Sequence, residues 1–292
     1  MIRTAAGIAL AGCIAALATP ALAGMPVQME LTCPVGGEEF THTGTGSYST
    51  FGSRPDGKPY GSWIFPIPIP ECPGNGLVMY REFEDHELKA LSTLVLADDY
   101  RALREETTYY RAQWLADRLG DGDAGPPWLL MRAAWQADGD PARKARYQRE
   151  FAERAEAFPL APESLETLVL RYRVANAWRE LGEFERAASA LDSIPTDSLD
   201  VEIPPREAAT RDEIDDAENR RYLLDAIEKM RPVIAQRNTE AEPLTMIPDT
   251  FAIHRCASLL EEDEGGAPAF CKAQERAEDI QEARERLRRQ AD

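Results

Sequence analysis

Two short cysteine turns near the start of the chain carry the residue types best suited to chemistry. Cys33 and Cys72 are each followed by proline, and each turn ends in glycine. This spacing is typical of a zinc-binding turn whose fourth residue is a second cysteine, so that two turns supply four thiolates in a tetrahedral array. Here Gly36 and Asn75 occupy the two fourth positions. Half of the ligand set is therefore missing.

A metal site could be completed only by residues outside the two turns. Thiolate and imidazole are suitable zinc ligands, and the four candidates are Cys33, Cys72, His42 and His86. Their spacing matches no recognised zinc signature, and in an oxidising compartment a disulfide between the two cysteines is the simpler outcome. We therefore predict no bound metal or cofactor and keep this set as the weaker alternative.

The first residues of the chain have the pattern of an export signal. Residues 1–23 combine a basic residue, Arg3, with an apolar run and an Ala-Leu-Ala ending at Ala23, which is typical of signal-peptide cleavage. An alternative lies inside the run, because Leu-Ala-Gly followed by Cys13 matches the site at which lipoproteins are cut and acylated. No later segment approaches the roughly 20 apolar residues of a membrane span. We predict a periplasmic or secreted protein, with a lipid anchor at Cys13 as the alternative.

The cysteine count after cleavage supports disulfide formation. Four cysteines follow the signal: Cys33, Cys72, Cys256 and Cys271. An even number in an oxidising compartment favours disulfides over free thiols. The sequence alone allows three pairings, and proximity along the chain favours Cys33 with Cys72 and Cys256 with Cys271.

The charge balance excludes one class of partner. The chain has 51 acidic and 33 basic residues, for a formal charge of −18. Nucleic acids and anionic lipids attract basic surfaces, so an acidic chain is a poor binder of both. We predict no nucleic-acid partner and interpret the acidity mainly as a solvated surface.

The composition divides the mature chain into a turn-rich start and a helical remainder. Residues 24–83 are rich in glycine, proline, serine and threonine, which indicates short strands and loops. Residues 84–194 follow helical spacing, residues 195–210 are an acidic, proline-marked linker, and residues 211–292 contain further helices. The predicted fold class is therefore mainly α with a small β-rich and loop-rich N-terminal segment.

One stretch of the helical region resembles a tetratricopeptide repeat. Small, aromatic and Leu-Gly positions allow two antiparallel helices to pack closely, and the matching residues are Ala175, Trp178, Leu181, Gly182, Phe184 and Ala187. Residues 109–120 resemble a second, looser copy. The two copies lie 62 residues apart, which is not a single repeat period, so we expect an additional helix between them.

The chain as a whole resembles an uncharacterised bacterial family. The resemblance covers roughly residues 30–190 and includes both Cys-Pro turns, the Lys58-Pro-Tyr-Gly stretch and the tyrosine pair at residues 109–110. It implies an N-terminal segment resembling a degenerate zinc ribbon, followed by tetratricopeptide-like helical hairpins. Gly36 and Asn75 depart from the family's pattern, and the family supplies no activity.

The expected function is binding. Stacked helical hairpins form a groove suited to protein or peptide partners, which favours a non-catalytic, exported binding or scaffold protein. No local motif places a nucleophile beside a base, and the chain has three histidines. The alternatives are a cell-envelope hydrolase of unknown substrate and a metal-binding module.

Overall fold

The computed structural model describes most of the chain, namely residues 24–121, 127–158, 161, 164–263 and 266–291. In this part of the chain, ten α-helices and four short strands confirm a mainly helical fold with a small N-terminal sheet. The predicted signal, residues 1–23, and the alternative lipidation residue Cys13 lie outside the described residues.

Two antiparallel strand pairs form the N-terminal segment. Strand β1 (Met25–Thr32) pairs with β2 (Glu39–Ser47) on either side of the first cysteine turn. Strand β3 (Thr50–Ser53) pairs with β4 (Pro59–Gly61) on either side of residues 54–58. A two-stranded sheet buries too little apolar surface to be stable alone. The segment therefore relies on the helices that it contacts.

Three helices follow: α1 (Leu88–Leu94), α2 (Asp98–Ala102) and α3 (Thr108–Leu119). The spacing of apolar residues predicts one helix from Tyr100 to Leu119, and that prediction is wrong. Thr107 has extended backbone, and its hydroxyl accepts a hydrogen bond from an amide in the first turn of α3. This N-cap starts a new helix inside the predicted one.

The cysteine turns and these helices share one core. Cys33 and Cys72 pack there with Leu77, Leu91 and Leu115, all of them buried. The hydroxyl of Tyr100 lies in the same core and donates a hydrogen bond to the carbonyl of Gly76, 2.7 Å away. The second cysteine turn is thus held directly by α2.

The proline-rich residues 63–70 form no helix, as expected from three prolines at alternate positions. They lie against α3, where the Tyr109 hydroxyl donates a 2.8 Å hydrogen bond to the carbonyl of Ile67. Ile69 packs against two cores, the one that contains the cysteine turns and the one that contains Tyr109. This segment therefore connects the N-terminal region to the helices.

The central body is a series of helices in which each packs on the next. Helix α6 also touches α8, and the bounds are α4 (Trp128–Gln136), α5 (Pro141–Ala157), α6 (Leu165–Glu180), α7 (Phe184–Asp192) and α8 (Arg211–Ala235). The stretches that resemble the looser and the closer repeat copy lie in α3 and in α6–α7, and α4 and α5 lie between them.

Side-chain caps determine where several of these helices begin. Asp140 accepts a backbone amide at the start of α5, with Pro141 at the first helical position. Ser164 caps α6 in the same way. Thr210 and Glu213 form a reciprocal capping box at the start of α8. Each cap satisfies amides that would otherwise lack a partner.

The residues singled out as repeat packing meet between α6 and α7. Ala175, Trp178 and Ala187 are fully buried, Phe184 is nearly so, and Leu181 packs at the edge of the same core. Gly182 forms the turn between the helices with φ at +78°, a conformation that favours glycine. The short turn and the small residues permit the close approach of the two helices.

The predicted linker, residues 195–210, is partly anchored. A short 3₁₀ turn at Thr196–Ser198 is followed by Leu199, which is fully buried in the central core. Residues 202–210 contain no helix or strand.

The last two helices pack together, and a disulfide joins the first of them to the short 3₁₀ turn (Ala269–Lys272) that precedes the second. Helices α9 (Asp249–Glu262) and α10 (Ala277–Ala291) pack on each other, and Cys256 is bonded to Cys271 between them. The pair contacts the N-terminal segment through stacked rings of Phe251 and Tyr60, whose centroids lie 4.0 Å apart. In the part of the chain that the structure describes, no helix has the length and apolar content needed to cross a membrane.

Candidate functional site

The two cysteine turns have closely similar backbone geometry and hold a disulfide. Cys33 and Cys72 are bonded, with Cα atoms 5.6 Å apart, in the pairing that proximity favours. In each turn the cysteine carbonyl accepts the amide of the glycine four residues later, at 3.1 and 2.8 Å. Both side chains are buried. A bonded pair offers no thiolate to a metal ion.

Gly36 and Asn75, which occupy the missing ligand positions, have structural contacts instead. The amide of Asn75 donates a 2.6 Å hydrogen bond to the carbonyl of Val35, and its oxygen accepts the amide of Leu77 at 2.9 Å. Gly36 has a φ of +102°, so a side chain there would be strained. Asn75 thus links one cysteine turn to the other.

The alternative metal ligands are not assembled. His42 lies on β2 opposite Met29, and His86 is exposed with its Nδ1 atom 3.2 Å from Glu84. Among the residues described, no group of three or more histidine, cysteine or acidic side chains could hold a metal ion. The set of Cys33, Cys72, His42 and His86 therefore has no shared geometry here.

A buried charge cluster joins the N-terminal segment to the central helices. Residues 54–58 lie over α4, α5 and α6, and the Arg54 side chain is 8% exposed. Its guanidinium pairs with Asp56 and donates to Asp138 at 2.9 Å. Lys58 and Lys144 also donate to Asp138, at 2.7 and 3.0 Å. Every charge in this cluster has an opposite partner, as buried ions require.

The cluster determines the ionisation of Asp138. Burial acts to raise the pKa of this carboxyl, but hydrogen bonds from Arg54 and Lys58 outweigh burial and hold the pKa well below its usual range. Asp138 is therefore ionised throughout the neutral range and serves as an anchor for the segment.

A second buried network fixes the end of α6. The Glu180 carboxylate accepts hydrogen bonds from Gln148 and Asn176, both at 2.8 Å, and pairs with Lys144 at 3.2 Å. Arg179 is fully buried and donates to the carbonyls of residues 238 and 240, at 2.9 and 2.8 Å. Residues 54–58 and this network thus cover parts of α4, α5 and α6.

An open cleft lies between α6 and α8. It measures about 240 Å³, and we call it the α6–α8 cleft. Its walls come from β3, from both helices and from the loop before α9, with lining residues 51–55, Tyr172, Arg173, Tyr222, Asp225, Ala226, Lys229 and 246–248. The helical face presents Tyr222, Asp225, Ala226 and Lys229 at the i, i+3, i+4, i+7 spacing of one helix side.

Aromatic rings form the rims and part of the lining of this cleft. Phe51 is 53% exposed on the β3 side, and Tyr222 is 60% exposed on α8. Tyr172 is 4% exposed and makes no hydrogen bond through its hydroxyl to any of the described residues. Large exposed rings beside a cavity are typical of binding surfaces.

A larger groove lies on the opposite side of α6 and is chemically satisfied. It measures about 380 Å³ between the end of α5, α6 and α7. Its Glu156 carboxylate accepts from Trp178 at 2.6 Å and pairs with Arg186 at 2.8 Å. Arg171 donates to the carbonyl of Ser193 at 2.9 Å. None of its lining residues is a strongly exposed large apolar side chain, whereas Phe51 and Tyr222 line the α6–α8 cleft, so that cleft is the better candidate.

The charged groups do not form an acid–base pair. Among the described residues, each carboxyl group with a displaced pKa has it displaced downward by hydrogen-bond donors, as at Glu87, Glu106, Asp138, Glu185, Glu213 and Glu261. A carboxyl with a lowered pKa is a poor general acid at neutral pH. No histidine lines the α6–α8 cleft.

Sequence reasoning missed the residues that shape this cleft. Phe51 and Tyr222 lie 171 positions apart by number, and no local pattern connects them. The Arg54-Pro-Asp-Gly-Lys58 stretch has the composition of a tight turn, and Gly57 has a φ of +88°. The sequence could identify that turn but not the surface on which it lies.

Comparison of the chain with protein-family models, with curated proteins and with solved structures finds no match.

Proposed function

We propose that this protein is an exported, non-catalytic binding protein that holds a peptide segment of a partner in the α6–α8 cleft. The observation that carries the proposal is the pair of exposed rings, Phe51 from β3 and Tyr222 from α8, that line one open cavity. Rigid aromatic side chains supply large contact areas at low entropic cost and dominate many binding surfaces.

The architecture supports the same proposal. We interpret α3–α4 and α6–α7 as tetratricopeptide-like hairpins with α5 between them, in an array that presents an inner face to partners. The N-terminal segment, which we interpret as a degenerate zinc ribbon adapted to a disulfide, covers the α4 end of that face. The open remainder is the α6–α8 cleft.

Export is part of the proposal. Two disulfides are compatible with an oxidising compartment, and we propose a periplasmic or secreted location after cleavage at Ala23, with an anchor at Cys13 as the alternative. The hydrolase and metal-binding alternatives lack a comparable observation: within the described residues there is no metal-ligand group, and the displaced carboxyl pKa values are all lowered.

The test uses a library of synthetic peptides with free ends. Peptides retained by the purified protein are identified by mass spectrometry, and their affinities are measured by fluorescence anisotropy. Because hot-spot truncations each cost about 2 kcal/mol or more, the Phe51→Ala/Tyr222→Ala double variant is expected to weaken binding at least tenfold.

The matched control is Leu96→Ala, since Leu96 is an equally exposed apolar residue, at 59%, outside the cleft. This variant is expected to bind as the wild type does. Equal losses of peptide affinity in the double variant and in the control would contradict the proposed function. So would the absence of any retained peptide.

A further inference from the structure

The α6–α8 cleft is locally basic on an acidic protein. Arg54, Arg173 and Lys229 line it against one acidic residue, Asp225, whereas the chain as a whole has 51 acidic and 33 basic residues. Two of these cations are already paired: Arg54 with the buried cluster, and Lys229 with Asp225 at 2.7 Å. The lining charge that has no acidic partner among the described residues is that of Arg173, and such a cation favours an anionic ligand group.

Arg173 is the cation available to such a group. Within the described part of the chain it has no carboxylate partner, and one of its terminal nitrogens donates to the carbonyl of Pro55. Its guanidinium carbon lies 5.3 Å from the ring centroid of Tyr172. An arginine that is half-buried and has spare donors is well suited to a carboxylate, which can accept two parallel hydrogen bonds.

Tyr172 supplies a second donor beside it. The side chain is 96% buried, lines the cleft and has a hydroxyl with no hydrogen bond to the described residues. Burial raises the pKa of Tyr172, so the hydroxyl keeps its proton at neutral pH and can donate it. The hydroxyl is not one of the fully enclosed unpaired polar atoms of the described residues, so it can donate to a ligand oxygen that enters the cleft.

The apolar rims lie next to these two donors. Phe51 and Tyr222 can enclose an apolar side chain while Arg173 and Tyr172 bind a carboxylate. In a peptide, a carboxylate and an apolar side chain belong to the same residue only at the C-terminus, because aspartate and glutamate carry the acid in place of the apolar group.

We infer that the α6–α8 cleft captures the C-terminal residue of its peptide partner, with the free carboxylate on Arg173 and Tyr172 and an apolar side chain between Phe51 and Tyr222. Capture of a terminal carboxylate is an established mode of peptide recognition. The inference rests on the proposed function, since it specifies which part of the peptide enters the cleft.

The test compares two matched peptide arrays by fluorescence anisotropy. Both arrays use one labelled decapeptide sequence ending in Leu, Phe, Val, Gly, Asp or Lys, once as the free acid and once as the amide. We expect the acids ending in Leu, Phe or Val to bind at least tenfold more tightly than their amides, and more tightly than the acids ending in Gly, Asp or Lys.

The variant for this test is Tyr172→Phe, which removes the donor and keeps the ring. Because the hydroxyl has no partner in the described chain, the variant is expected to fold normally and to weaken acid binding about fivefold, with amide binding unchanged. Tyr48→Phe, on a tyrosine that is 45% exposed and does not line the cleft, is the matched control and is expected to have no effect.

The outcomes distinguish the C-terminal inference from the proposed peptide-binding function. If acids and amides bind equally, and Phe51→Ala/Tyr222→Ala weakens both, the C-terminal inference is overturned and the proposed function stands. Tighter binding of acids with no effect of Tyr172→Phe overturns the assigned role of Tyr172. Absence of binding by any acid or amide overturns the inference and the proposed function together.

Discussion

Single residues explain how a charged turn can be part of a protein core. Arg54 and Asp56 are 8% and 7% exposed, a degree of burial that isolated ions cannot tolerate. Their pairing with each other, and the contacts of Arg54 with Asp138, replace the lost hydration. The same chemistry fixes the position of the N-terminal segment beside the α6–α8 cleft, whose wall includes the paired Arg54, so these residues act as positioning groups.

Asp138→Asn tests this cluster. The substitution leaves Arg54, Lys58 and Lys144 without one carboxylate, and we expect the free energy of unfolding at neutral pH to fall by about 1–3 kcal/mol. The measurement is urea denaturation followed by circular dichroism. Asp140→Asn, at a partly exposed helix cap beside Arg143, keeps a capping oxygen and is the control.

The pH dependence of this effect has a defined sign. The folded pKa of Asp138 lies below its unfolded value, so its stabilisation is complete above the unfolded pKa of about 3.9 and is lost as the pH falls through the folded pKa. The stability difference between wild type and Asp138→Asn should therefore be largest above pH 5 and shrink below pH 4. A difference that stays constant over this range would contradict the assigned role.

At the scale of elements, the helices begin and end where local chemistry dictates. The caps at Asp140, Ser164 and Thr210 are visible in the sequence as capping residues before helical stretches. The split between α2 and α3 was missed because the cap at Thr107 lies inside an uninterrupted helical pattern. Periodicity identifies a helical face better than it identifies a break.

Substitution of Gly182 tests the backbone conformation of the turn between α6 and α7. Gly182 has a φ of +78° with no atom closer than 4.0 Å to an added Cβ, so Gly182→Ala adds backbone strain without a clash. We expect the free energy of unfolding to fall by about 1–2 kcal/mol, measured by urea denaturation. Gly139→Ala is the matched control: it has open space and no positive φ, and is expected to be neutral. Equal effects of the two substitutions would show that backbone conformation is not the cause.

The whole molecule combines two disulfides with a mainly helical body. The Cys33–Cys72 disulfide joins the two cysteine turns, which pack against α1–α3. The Cys256–Cys271 disulfide joins α9 to the 3₁₀ turn before α10. The two regions also meet through Tyr60 and Phe251. The N-terminal segment therefore contacts both the central helices and the C-terminal pair.

Mass mapping of the purified protein without reduction tests the proposed cleavage site and both disulfides. We expect a chain that starts at Gly24, contains the two disulfides and has no free thiol, because the cysteines are oxidised after export. Metal analysis of the same sample is expected to find no zinc, since a disulfide cannot ligate it as thiolate. A chain that starts at an acylated Cys13, or a zinc-containing protein with free Cys33 and Cys72, would contradict the respective prediction.

The local features of this protein, namely its helices and turns, could largely be predicted from its sequence. Helical periodicity, capping residues and the Leu-Gly turn at Gly182 are short-range signals, and they predicted the mainly helical fold and most helices after residue 128. Proximity also favoured the two cysteine pairs that the structure contains. These features depend on interactions within a few turns of chain or on the closure of short loops.

The position of the α6–α8 cleft depends on tertiary packing. Residues 54–58 lie over α4, α5 and α6, while Phe51, Tyr172 and Tyr222 line the cleft beside them. These residues come from β3, α6 and α8, so their proximity depends on packing between distant segments. No spacing rule encodes such packing, because it results from the combined burial of the whole core.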